Sequence, residues 1–138
     1  MTPLGVDASV ALARCLKDDM GAHAVAVLRA VPDEPGTVAV PAHWPLEVAN
    51  GLLVAQRRGR MTDADAAEAR TLLWALPLEV VAVATSEALG AVSDLAREHG
   101  LTSYDAAYLE LALRTGAKLG TLDDAVKRAA TAVGVEVA

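Results

Sequence analysis

The chain is poor in aromatic residues, in cysteine and in positive charge, and each shortage narrows what it can be. Only 3% of its 138 residues are aromatic: Trp44, Trp74, Tyr104 and Tyr108, with no phenylalanine. A core must then come from Ala, Val and Leu packed at short range, which suits helices laid against a sheet. The single cysteine, Cys15, has no internal disulfide partner, and a chain without disulfides is expected in the cytoplasm. Long apolar runs are missing as well. The longest, Leu76 to Ala84, is broken by Glu79 and falls far short of the roughly 20 residues a bilayer helix needs. No membrane partner is expected, although mean hydropathy is +0.34. No Lys or Arg precedes Asp7, so the start of the chain does not read as a secretory signal.

Twelve basic residues stand against 18 acidic ones, a net charge of -6 and a pI near 4.9. This excludes a protein that grips nucleic acid with a broad cationic surface. A polyanionic substrate would need local help, from a bound metal or a small basic cluster.

What is present is the balance of one globular domain spanning residues 1–138, 54% hydrophobic and 22% charged. There is no repeat, low-complexity tract or linker; Pro32 to Gly36 reads as a loop. Short β-branched runs (Leu4 to Val6, Thr37 to Val40, Leu78 to Val83, Lys118 to Leu122, Val135 to Val137) alternate with longer Ala/Leu-rich stretches of helical spacing. Thr62 followed by Asp65 predicts a capping box, Ser103 an N-cap, and Gly59, Gly100, Gly116 and Gly134 helix ends. Such alternation predicts an α/β fold with a mostly parallel central sheet and helices on both faces. Ligands of such sheets bind at the carboxyl ends of the strands.

Acidic residues fall at that end. Asp7 follows the first strand and Asp123 the fourth, each opening a helix, and Asp105 lies in the first turn after Ser103. For any one of them, the ordinary reading is a helix cap or first-turn carboxylate. Two on strands of one sheet point beyond it. Glu47 interrupts an apolar helix, Trp44 to Ala55, and its face continues with Asn50, Gly51 and Val54, reading as a cavity wall rather than a core stripe. Carboxylates gathered without matching lysines call for a cation. Hard oxygen ligands select magnesium or manganese, and phosphodiester hydrolysis is chemistry that such a site serves.

Four segments, Val6-Asp7-Ala8-Ser9, Pro45 to Leu52, Ser103 to Tyr108 and Thr121-Leu122-Asp123, in this order and at these spacings, together resemble the PIN domain, and within it the VapC-type toxins of bacterial toxin-antitoxin pairs. The resemblance covers nearly the whole chain. It implies a three-layer α/β/α fold and a metal-dependent endoribonuclease whose Asp7, Glu47, Asp105 and Asp123 hold Mg2+ or Mn2+. Ser9, Asn50 and Thr121 would be polar supports. It also implies an RNA substrate, a small antitoxin partner and a homodimer, for which Thr62 to Ala75 offers an apolar surface. Some family members carry a further acid after the Thr-x-Asp motif; here those positions are Ala125 and Val126, and Asp124 projects elsewhere.

Other residues read more plainly. His23, His43 and His99 lack zinc spacing and are expected in surface or packing roles. Cys15, among Ala11, Leu12 and Leu16, is expected to be a small core residue. Arg57, Arg58 and Arg60 either complement a helix C-terminus or contact RNA phosphates. Alternatives to the ribonuclease are an inactive PIN module used for binding and a receiver-like phospho-acceptor domain. The second lacks paired acids after the first strand, where Asp7 is followed by Ala8 and Ser9.

Overall fold

The computed structural model describes residues 3–16, 21–29, 31 and 35–138. Strands β1 (Leu4–Val6), β2 (Val38–Pro41), β3 (Leu78–Val81) and β4 (Lys118–Gly120) form one parallel sheet in the order β3-β2-β1-β4. Helices α1 (Ala8–Leu16) and α2 (Gly21–Arg29) connect β1 to β2, and α3 (Trp44–Arg57) and α4 (Asp63–Trp74) connect β2 to β3. The return to β4 runs through α5 (Thr85–Glu87), a π-helical turn at Ala88–Val92, α6 (Ser93–His99) and α7 (Ser103–Thr115), and α8 (Asp124–Val133) follows β4. The helices flank the sheet in the expected α/β/α layers. Pro32, Asp33 and Glu34 of the expected loop lie outside the described residues.

The central strands β1 and β2 are buried along their whole length, while β3 exposes Glu79 and Val80 at one edge. That is the burial a parallel sheet requires when helices cover its faces. Helix α7 packs across β1, β2 and β4, so its Leu109 is fully buried beside Leu119, Val6, Val10, Val38 and Val40. Helix ends follow local chemistry. Thr62 Oγ1 accepts the Asp65 amide at 3.0 Å and Asp65 Oδ2 accepts the Thr62 amide at 3.1 Å, the reciprocal box expected for α4. Gly100, Gly116 and Gly134 close α6, α7 and α8 with positive φ.

Several boundaries differ from the expected ones. β3 stops at Val81, level with Pro41, the last residue of its partner. The expected strand at Val135 to Val137 is reduced to one bridge between Leu119 and Val137. The cause is that Val135 turns into the core and gives its amide to Ala130 O of α8 at 2.8 Å. β4 ends at Gly120 because the next amides are taken by side chains: Leu122 N–H donates to Ser9 Oγ and Asp123 N–H to Thr121 Oγ1. The reading of Gly51 as part of a cavity wall is also corrected. A Cβ there would lie 2.5 Å from both Cδ atoms of Leu12, so the space is filled by α1 packing against α3. Cys15 packs at the border of the core.

Leu109→Ala is expected to cost about 2–5 kcal/mol through lost burial and the cavity left behind. Trp74→Ala, at a side chain 91% exposed, should change stability by less than about 0.5 kcal/mol. Urea unfolding of the two variants checks the ranking.

Candidate active site

Asp7 leaves the carboxyl end of β1 and is 4% exposed. Its amide donates to Gly120 O at 3.0 Å, continuing the pairing of β1 with β4 for one more residue. Oδ1 accepts the Ser9 amide at 3.0 Å, the Ser9 hydroxyl, and the Val10 amide at 3.4 Å, while Oδ2 accepts the Thr121 hydroxyl. The carboxylate therefore sits on the first amides of α1, where backbone N–H groups and the helix dipole favour negative charge. Burial still dominates. Desolvation pushes Asp7 above the ordinary carboxylate range, with the Ser9, Thr121 and Val10 hydrogen bonds pulling the other way. Ser9 and Thr121 are thus the supports expected of them. Asn50 is exposed and makes no hydrogen bond among the described residues.

Asp123 is the N-cap of α8, accepting the Val126 amide at 3.0 Å through Oδ1. Asp105 is the third residue of α7, half-buried. The cap of α7 is Thr102, whose Oγ1 accepts the Asp105 amide at 3.1 Å, not Ser103 as the sequence suggested. Thr102 has extended backbone (φ -70°, ψ 160°) with Ser103 already inside the helix, and only the extended residue can fold its hydroxyl back onto those amides. Asp105 also titrates high. Desolvation is the main cause, followed by the charges of Asp123 and then Glu47, offset by Thr102 and His43. Asp105 therefore feels the charges of both Asp123 and Glu47.

Glu47 lies in the first turn of α3. Its Oε1 accepts the Tyr108 hydroxyl at 2.8 Å, and His43 Nε2 stands 3.2 Å from the same oxygen. His43 Nε2 is also 3.1 Å from Tyr104 O. Facing two acceptors, this nitrogen carries the hydrogen. The His43 ring meets the Tyr104 and Tyr108 rings edge-on, with centroids 5.5 and 5.1 Å away. His43 thus stands in the site, contrary to the surface or packing role expected of it. Tyr108 went unnoticed in the sequence, although it lies one turn beyond Asp105 on the same face of the helix. His23 is exposed on α2, and His99 is the last residue of α6. Arg57, Arg58 and Arg60 are exposed at the opposite end of α3, about 15 Å along the axis from Glu47.

None of Asp7, Glu47, Asp105 and Asp123 is paired with Lys or Arg among the described residues. The donor set, all hard carboxylate oxygen with hydroxyl support, fits magnesium or manganese. In the side-chain positions present, no three His, Cys, Asp or Glu of the described residues stand within reach of one ion. Asp123 is the most exposed of the four acids, with one carboxylate oxygen held by the Val126 amide.

The PIN domain family model matches residues 5–132. The chain belongs to the PIN domain family. This PIN domain is 40% identical over 77 residues to Ribonuclease VapC3 of Pyrobaculum aerophilum, a stretch covering 56% of this chain and 59% of that relative. The matched stretch therefore spans less than two thirds of the relative. Among solved structures, PAE2754 of Pyrobaculum aerophilum superposes with a TM-score of 0.68 at 26% identity, covering 93% of this chain and 79% of that one. VapC20 of Mycobacterium tuberculosis, a toxin that cleaves the sarcin-ricin loop, gives a TM-score of 0.66 at 18% identity over 91% of this chain and 94% of its own. At that identity the second likeness concerns the fold. The three-layer PIN architecture is thereby established, and the receiver-like alternative falls with it.

Asp105 and Asp7 both bind protons more tightly in the folded chain than at the ordinary value of 3.8. The stability tied to their protonated forms is full below that value and is lost as pH rises through the folded one. In chelator, Asp105→Asn is expected to melt higher than the parent at neutral pH, with the gap closing as pH falls toward 3.8. Asp123 should behave differently. Asp123→Ala loses about 1 kcal/mol of capping that Asp123→Asn retains. Thermal melts across pH check both.

Proposed function

We propose that this PIN domain is a divalent-metal-dependent endoribonuclease acting as the toxin of a type II toxin-antitoxin pair, with Asp7, Glu47, Asp105 and Asp123 holding Mg2+ or Mn2+. The observation that carries this reading is the set of acids at the carboxyl edge of the sheet, with Asp105 raised by burial and then by the charges of Asp123 and Glu47, and no Lys or Arg paired with any of the four among the described residues. Membership of the PIN family and the likeness to Ribonuclease VapC3 support it.

When bound, the cation supplies Lewis-acid activation of a water and neutralises phosphate charge. The chain's own part is positioning. Asp7 is immobilised by Ser9 and Thr121 and serves as the rigid member of the set. Glu47 is braced by Tyr108 and His43. Asp105 and Asp123, on the first turns of α7 and α8, complete the open side. A chain of net charge -6 repels a phosphodiester from this edge, so RNA engagement should depend on prior cation loading. The partners of this reading are an RNA, a small antitoxin and a second copy. Helix α4 carries exposed Trp74 beside exposed Leu53 of α3, apolar surface of the kind that partners cover.

Purified protein is expected to cleave RNA with Mg2+ or Mn2+ and to stop in EDTA, and Asp7→Asn should lose at least about a hundredfold of the rate. Expression alone should slow growth, and co-expression with the antitoxin should restore it. Cleavage in EDTA, or by Asp7→Asn at the parent rate, would sink the proposal. Metal binding without any cleavage would favour the inactive binding module instead.

A further inference from the structure

We infer that Tyr108 is a positioning residue whose hydroxyl fixes the Glu47 carboxylate and thereby sets the affinity of the acid cluster for a divalent cation. The inference rests on the metal-centre reading above and deepens it. Tyr108 is buried in the middle of α7, one turn past Asp105, so its ring has a single place to be. Glu47 is the reverse, a long side chain 35% exposed in the first turn of α3, free to sweep through many rotamers unless something holds it. The 2.8 Å hydrogen bond from the Tyr108 hydroxyl is that hold.

Two further facts make it more than a core tyrosine finding an acceptor. The hydroxyl and His43 Nε2 converge on Oε1, leaving Oε2 without a protein donor among the described residues. This bond also ties α7, the helix of Asp105, to α3, the helix of Glu47, across 61 residues. A phenylalanine would fill the same space and keep the ring packing, so volume alone does not require the hydroxyl.

The probe is Mn2+ alone, titrated against the parent, Tyr108→Phe, Glu47→Gln and the double variant, with free Mn2+ read by electron paramagnetic resonance. Tyr108→Phe is expected to weaken Mn2+ binding about tenfold or more, as loss of a partner that orients a metal ligand does. Its RNA cleavage should recover at saturating Mn2+. In the Glu47→Gln background, Tyr108→Phe should have no further effect on binding. Unchanged Mn2+ binding in Tyr108→Phe overturns the inference, including where its melting in chelator falls, because the hydroxyl is then only structural. An equal loss in both backgrounds overturns action through Glu47. A parent that binds no Mn2+ brings down the metal centre itself, and this inference with it.

Discussion

Four helix N-termini open on the same edge of the sheet, and each carries one of the acids. Asp7 accepts the first free amides of α1, Glu47 and Asp105 lie in the first turns of α3 and α7, and Asp123 caps α8. Unpaired amides and the positive ends of helix dipoles are what allow carboxylates to crowd without a cationic side chain. Capping chemistry places two of the four, Asp7 and Asp123, whose carboxylates accept helix amides. Asp123 caps α8 and its charge adds to the desolvation that raises Asp105.

The compensation is incomplete. Asp7 and Asp105 remain above the ordinary carboxylate range despite the hydrogen bonds they accept. Burial is the main cause at both residues, with the charges of Asp123 and Glu47 adding to it at Asp105; under the proposed function a bound cation would offset that cost and add stability by mass action. Under the proposed function, a cation bound at this edge would confine attraction for a polyanion to one place while the rest of the acidic surface repels, which would favour chemistry at a point over retention along a strand.

Rigidity is distributed unevenly among the acids. Asp7 is held from two strands, since Ser9 follows β1 and Thr121 follows β4, and Ser9 Oγ in turn accepts the Leu122 amide. Early termination of β4 is the structural cost of this network, because its last amides turn from the sheet to side chains. Glu47 is held by α7 and by its own helix through Tyr108 and His43. Asp123 is held through Oδ1 by the Val126 amide, and Asp105 is the least constrained of the four.

The sequence by itself determined the alternation of strands and helices, the parallel sheet, the capping box at Thr62, and the placement of Asp7 and Asp123 at strand ends and of Asp105 at a helix start. These are short-range matters, decided by periodicity and by contacts a few residues apart. It erred by one residue at Thr102, where backbone conformation selects between two adjacent hydroxyls. Only the tertiary structure decided that Leu12 fills the space beside Gly51, that His43 belongs to the site, and that Tyr108 holds Glu47 across a separation of 61 residues. The link from Thr121 to Asp7 spans 114. Such pairs leave no periodic trace in one sequence, because they depend on how α1, α3 and α7 are packed against each other and the sheet, and that packing is set by the whole core at once.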